Sequence, residues 1–168
     1  MVNIYMAAYK DYANYEELKT VCDRITSDMN KNNVTFFVTT GESGDNTCFK
    51  YARDNGFKIE DWFPEEEFKE LKKSTRENGH WMEFYNAKKM KKAEYISKAD
   101  HVILVSDYDA KNNGIGYALR LASKNGKTIS VLYPDKKEIH VHKISNPDIT
   151  YVYSVNNGSM NFIGRVKT

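Results

Sequence analysis

Short apolar runs of strand length alternate along this chain with amphipathic stretches of helix length. The clearest run, at residues 101–105, contains four successive apolar side chains, which is typical of a strand buried on both faces. Parallel strands of this kind need a crossover connection, which is usually a helix. The alternation therefore predicts an α/β fold, namely a Rossmann-like parallel sheet of about five strands that is sandwiched by helices.

The predicted strands lie near residues 2–8, 34–38, 57–63, 101–105 and 128–133. After Pro134 the pattern changes to the period-two alternation of Ile139, Val141 and residues 151–155, followed by an Asn156-Asn157-Gly158 turn. This alternation predicts antiparallel strands. We therefore expect residues 1–134 to form the Rossmann-like part, and residues 135–168 to form a β-rich C-terminal extension of the same domain, an antiparallel appendage.

Composition limits the classes of function. The chain has 168 residues, the size of one domain with its own core. Its net charge of +2, from 25 basic and 23 acidic residues, argues against a nucleic-acid partner. The segment from Met1 has no basic n-region and no long apolar run, and Cys22 and Cys48 lack the spacing of a disulfide scaffold or zinc site. We expect a cytoplasmic protein with reduced thiols and no membrane contact.

Three loops follow the first, second and fourth predicted strands, at residues 8–14, 39–45 and 106–116. In an open parallel sheet, ligands bind beyond the carboxyl ends of the strands, where the strand order reverses. If the first and fourth strands are neighbours at that point, the three loops converge on one ligand site.

The second loop contains two glycines, Gly41 and Gly44, which allow backbone N–H groups to approach a phosphate closely. The N-terminus of the helix that follows adds a favourable dipole. The alternative is an ordinary strand-to-helix turn with Asp45 as N-cap, and the local pattern alone favours that turn.

The third loop offers polar side chains and two more glycines at a helix start. Its carboxylates and amides have the chemistry to contact a ribose or a base, although a plain turn explains them equally well; they are Asp107, Asp109, Asn112 and Asn113. His140 and His142 share one face of a predicted strand, but no Cys or carboxylate cluster accompanies them, so we predict no metal site. Trp62 and Trp81 are interpreted as packing residues.

The order of several short motifs resembles that of a known family. They are residues 7–15 after the first strand, residues 41–45 with Ala52 and Gly56, Asp61-Trp62-Phe63, residues 86–90, Ala99-Asp100, and residues 114–117 with Ala122 and Gly126. Together they resemble the YspA-type SLOG family, which is Rossmann-like and is related to the Lonely Guy and DprA proteins. The resemblance covers residues 1 to about 134.

The resemblance implies a nucleotide-binding domain at residues 1–134, which senses or sequesters a nucleotide or an ADP-ribose-like molecule, with no cofactor. The ligand-binding residues that we predict from the loops and the resemblance are Ala8, Tyr9, Lys10, Gly41, Glu42, Ser43, Gly44, Asp45, Ser106, Asp107, Asn113, Gly114, Gly116 and Tyr117. The family's Gly-Ser-Arg and Arg-Asn elements are replaced by Ala7-Ala8-Tyr9 and Asn86-Ala87. Lys10, Lys88 and Lys89 are the candidates to replace the lost positive charge.

Two alternatives remain open. Lonely Guy enzymes and nucleoside deoxyribosyltransferases cleave N-glycosidic bonds with a carboxylate on the helix after the fourth strand, where this chain has Arg120. We therefore favour binding over phosphoribohydrolase or deoxyribosyltransferase-like chemistry, and the catalytic residues of such an enzyme are unknown. A DprA-like, nucleic-acid-associated protein is the second alternative, with a basic surface at Lys69, Lys72, Lys73, Arg76 and residues 88–92.

SLOG relatives often complete their pockets across a subunit interface, and the predicted appendage offers edge strands, so we expect a homo-oligomer. The abundance of Lys, Asn and Tyr is typical of AT-rich genomes such as those of phages and low-GC bacteria. A role in phage or bacterial defence is a hypothesis that rests on this composition and on the family resemblance.

Overall fold

The computed structural model describes residues 1–40, 43–79, 81–108 and 113–167. At positions 43–45, 65, 68, 78, 81, 113 and 114 it describes the helical backbone but not the side chain. The strands are β1 (Val2–Ala8), β2 (Val34–Val38), β3 (Lys58–Asp61), β4 (His101–Val105), β5 (Thr128–Tyr133), β6 (Glu138–His142), β7 (Ile149–Asn156) and β8 (Ser159–Lys167). The helices are α1 (Tyr15–Thr26), α2 (Ser43–Asp54), α3 (Glu65–Asn78), α4 (Trp81–Lys98) and α5 (Asn113–Lys124).

The described strands form one sheet in the order β3-β2-β1-β4-β5-β6-β7-β8. The first five strands of this order run parallel, and β6, β7 and β8 continue the same sheet with antiparallel pairing. The α/β class and the antiparallel C-terminal strands are therefore confirmed. The predicted number of strands, about five, is wrong. The sheet has eight strands in the described part of the chain, because β6 pairs directly with β5.

Two apolar layers cover the sheet because successive side chains of a strand point to opposite faces. Ile4 and Met6 of β1 pack with the buried residues of α1 and α2, whereas Tyr5 and Ala7 pack with those of α4 and α5. The first layer extends to Ile139 of β6, and α1 also lies against β7 and β8. Both cysteines are buried and form no disulfide.

Some boundaries differ from the predicted ones. Helix α2 begins at Ser43, so Asp45 lies in its first turn rather than in the predicted N-cap position. The sequence pattern of residues 78–98 predicts a linker plus a helix, whereas in the structure α3 continues to Asn78 and α4 begins at Trp81. None of the helices in the described part of the chain is long and apolar enough to span a membrane.

Candidate functional site

The order of strands reverses between β1 and β4. From β1 the chain adds β2 and then β3 on one side, and it returns with β4 on the other side, where Ala8 pairs with Val105. The first and fourth strands are therefore neighbours, which is the condition under which the loops after them converge. The carboxyl ends of β1, β2 and β4 lie at one sheet edge, and we call the space beyond them the switch-point crevice.

Tyr9 and Ser106 lie side by side at the floor of this crevice. The Tyr9 backbone N–H donates to the Val105 carbonyl at 3.1 Å, and that of Ser106 donates to the Leu132 carbonyl at 3.0 Å. Ser106 is buried, and its hydroxyl donates to the Asp107 carbonyl at 3.2 Å. Tyr9 packs against the apolar layers on both faces of the sheet, so its side chain lies at the edge between them.

Four carboxylates lie near Tyr9. Burial raises the pKa of Tyr9, and the nearby negative charges of Asp107, Glu17, Asp135 and Asp11, in decreasing order, raise it further. A separate cavity of about 820 Å³ lies between the N-terminus of α1 and the turn that joins β7 to β8. Most of the residues that line it have polar side chains, and they include Asn14, Glu17, Thr20, Lys137, Asn156 and Asn157.

Tyr12 fixes the chain between β1 and α1. It is buried, and its hydroxyl lies 3.0 Å from Oε1 of Glu17 and 2.9 Å from the carbonyl of Asn14. Burial raises the pKa of Glu17, while the Tyr12 hydrogen bond and the charge of Lys137 oppose that increase. Asn14 caps α1 by accepting a hydrogen bond from the Glu17 backbone N–H at 3.2 Å.

The loop after β4 is tied to the C-terminal strands. The Tyr108 backbone N–H lies 3.1 Å from each carboxylate oxygen of Asp135. The Tyr108 ring contacts the rings of Tyr133 and His140, at centroid distances of 5.1 and 6.1 Å. The extension thus contributes to the same sheet edge, which sequence reasoning missed because Asp135 and Tyr108 are distant along the chain.

The α4 side of the crevice is basic. Nζ of Lys89 lies 5.7 Å from the ring centroid of Tyr117, near the start of α5. Burial, with the charge of Lys92 as a second cause, lowers the pKa of Lys88 to about 8. Arg120 is exposed on α5, and a Cβ atom placed on Gly116 would lie 3.6 Å from its Nη1 atom.

The predicted site residues fall into three groups. Ala8, Tyr9, Ser106, Asp107, Gly116 and Tyr117 lie at this sheet edge or at the start of α5, and Lys10 is exposed beside them. Ser43, Gly44, Asp45, Asn113 and Gly114 belong to the first turns of α2 and α5, where the backbone alone is described. Gly41, Glu42, Asp109 and Asn112 lie outside the described residues.

His140 and His142 have ordinary partners. Nε2 of His140 lies 3.1 Å from Oε1 of Glu138, and Nδ1 of His142 lies 3.1 Å from the hydroxyl of Thr150. Among the residues that the structure describes, no group of three or more His, Cys, Asp or Glu side chains is arranged to hold a metal ion.

Comparison of the chain with models of known protein families gives no match, and no curated protein matches it significantly. The arguments about its function therefore rest on the geometry of this sheet edge.

Proposed function

We propose that the protein binds a nucleotide or a nucleotide-derived small molecule in the switch-point crevice. The observation that carries this proposal is the reversal of strand order between β1 and β4, with a carboxylate, Asp107, near Tyr9 and a cation, Lys89, near Tyr117 at the start of α5. A phosphorylated sugar has groups that suit both charges. Its phosphate favours the cationic side, and its hydroxyl groups donate hydrogen bonds to carboxylates.

A cavity at the same edge of the sheet supports the same class of ligand. The cavity of about 820 Å³ on the α1 side falls within the range of small-molecule sites, roughly 300 to 1,000 Å³. Its amide and hydroxyl side chains supply both donors and acceptors, which suits a ribose or a base. The first turns of α2 and α5 add backbone N–H groups at the same edge, an arrangement that favours anions. The resemblance to YspA-type SLOG proteins implies the same class of ligand.

A thermal-shift screen tests the proposal. We expect one or more nucleotides, ADP-ribose or cyclic dinucleotides at about 1 mM to raise the unfolding temperature, because a ligand that binds only the native state stabilises it. Failure of all these compounds to stabilise the protein would contradict the proposal.

Two matched variants locate the binding. Asp107→Asn removes a carboxylate at the crevice and should reduce the ligand-induced shift. Asp148→Asn makes the same change at an exposed position in the loop between β6 and β7, at the opposite edge of the sheet, and should leave the shift unchanged. Equal shifts in the two variants would place the ligand elsewhere.

A further inference from the structure

The cavity of about 820 Å³ beside α1 adjoins the switch-point crevice. Asn14 and Glu17 line it at the start of α1, and Lys137 lines it from the turn between β5 and β6. Tyr12 connects the two spaces, because its ring lies 5.5 Å from that of Tyr9 and its hydroxyl lies 3.0 Å from Oε1 of Glu17. One ligand is therefore able to extend from the crevice into the cavity.

The Glu17 carboxylate supplies the cavity with a positioned acceptor. Oε1 accepts the Tyr12 hydrogen bond, whereas Oε2 has no hydrogen-bond donor among the residues that the structure describes. The side chain is half-buried, and removing a carboxylate oxygen from water without a partner costs free energy. A ligand that donates hydrogen bonds to this carboxylate offsets that cost.

Donor groups line the same cavity. Oδ1 of Asn14 accepts from the Glu17 backbone N–H at 3.2 Å, so the Nδ2 amino group of Asn14 is left as a donor. In the described part of the chain, neither this group nor Nζ of Lys137 has a hydrogen-bond acceptor. Burial raises the pKa of Glu17, and the charge of Lys137 is among the effects that oppose this rise, so the two charges interact.

The nucleobases differ in what they offer to a carboxylate. Guanine has two adjacent donors, N1–H and the N2 amino group, beside the acceptor O6. Adenine and cytosine have a ring-nitrogen acceptor next to their amino group, and uracil has a carbonyl oxygen on each side of its N3–H. Since a carboxylate only accepts hydrogen bonds, these three bases each bring a lone pair against it, and guanine does not.

We propose that this cavity holds the base of the ligand and selects guanine, with Glu17 accepting from N1–H and the N2 amino group. Asn14 donates to O6 on the adjoining side of the base, where Lys137 adds a positive charge. This inference rests on the proposed function and narrows it to guanine nucleotides.

Isothermal titration calorimetry with GMP, IMP and AMP tests the selection without any change to the protein. The three ligands share the ribose and the phosphate, so differences in Kd report on the base. We expect the Kd for GMP to be at least about tenfold lower than that for AMP. IMP keeps N1–H and O6 but lacks the N2 amino group, so its Kd should lie between the two.

The variant Glu17→Gln tests the role of the carboxylate. Its amide oxygen is able to keep the Tyr12 hydrogen bond, but its amide nitrogen opposes the donors of guanine. We expect the Kd for GMP to rise at least about tenfold, and the Kd for AMP not to rise, because an amide pairs with adenine. Glu77→Gln makes the same change at an exposed position on α3 and should leave the ratio of the two Kd values unchanged.

The variant Asn14→Asp tests the donor separately. A carboxylate oxygen is able to cap α1 as the amide oxygen does, so the fold is retained. The Nδ2 donor is replaced by an acceptor that repels O6, so the Kd for GMP should rise more than the Kd for AMP.

The remaining outcomes distinguish this inference from the proposed function. If AMP binds the wild-type protein as tightly as GMP, or if Glu17→Gln leaves the ratio of the two Kd values unchanged, the selection of guanine is wrong and the proposed function stands. If none of the three ligands binds and no compound in the nucleotide screen stabilises the protein, both proposals fail.

Discussion

Tyr12 fixes the segment between β1 and α1 through both its side chain and its backbone carbonyl. Its hydroxyl reaches Glu17, and its carbonyl accepts a hydrogen bond from the Thr47 hydroxyl of α2 at 2.9 Å. Tyr12→Phe removes a partly buried hydrogen bond to a carboxylate, so we expect the free energy of unfolding to fall by about 1–2 kcal/mol. Urea denaturation measures this change. Tyr85→Phe, at a side chain that is 54% exposed, is the control, and equal effects would exclude a special role for Tyr12.

His101 makes stability depend on pH. Burial lowers its pKa from 6.5 to about 4, and its Nε2 atom lies 2.8 Å from the Ser130 hydroxyl. As the pH falls below 6.5, the unfolded chain binds a proton at this position that the native state does not, so stability decreases until about pH 4. The pKa difference corresponds to at most about 3 kcal/mol.

The variant His101→Gln isolates this effect, because glutamine keeps hydrogen-bonding capacity but does not titrate. Urea denaturation at pH 7 and pH 4.5 should show a smaller loss of stability in the variant than in the wild-type protein. The same loss in both would contradict a partly buried, neutral His101 in the native state.

At the scale of elements, Gly116 near the start of α5 combines a low helix propensity with a position in the predicted ligand site. Glycine in a helix costs up to about 1 kcal/mol relative to alanine, and an added Cβ at Gly116 meets only the flexible end of Arg120, at 3.6 Å. We therefore expect Gly116→Ala to stabilise the protein and, if the ligand approaches this turn, to weaken nucleotide binding. Chemical denaturation and calorimetry measure the two effects. Gly164→Ala in β8, where a Cβ meets open space, should not change the affinity, and an unchanged affinity in Gly116→Ala would separate that turn from the ligand.

The elements also show which parts of the fold could be predicted from sequence. The parallel strands are buried on both faces, so their apolar runs are easy to recognise in the sequence. Gly56 and Gly126 follow the ends of α2 and α5 with positive φ, the usual role of glycine after a helix. The extent of α4 was not predictable in the same way, because Lys88 and Lys92 stand at four-residue spacing between the buried residues Phe84 and Ile96. Alternation indicated the C-terminal strands, but it did not show that they continue the parallel sheet, which follows from the antiparallel pairing of β6 with β5 across residues 134–137.

The candidate site was predictable to a similar degree. From the sequence, the loops after β1 and β4 meet only if the two strands are neighbours, and the structure meets that condition. Contacts such as Asp135 with Tyr108 and Lys92 with Trp62 join residues that are distant along the chain, so no spacing rule identifies them.

At the scale of the whole molecule, one sheet and one shared core layer link the parallel strands to the extension. Ile139 of β6 is fully buried in the layer that also contains Ile4 and Leu18. We expect Ile139→Ala to lower the free energy of unfolding by about 2–5 kcal/mol. The transitions followed by tryptophan fluorescence, which reports on the parallel part, and by far-ultraviolet circular dichroism should shift together. Separate transitions would mean that the extension unfolds as an independent unit.

The central claim, that a nucleotide binds where the order of strands reverses, is tested most directly by mapping backbone amide NMR shifts during a titration with ADP. We predict saturable changes at Tyr9, Ser106, Asp107 and the first turn of α5, with little change in the loop between β6 and β7 at the opposite edge. Changes confined to that opposite edge, or no saturable change at any amide, would contradict the account.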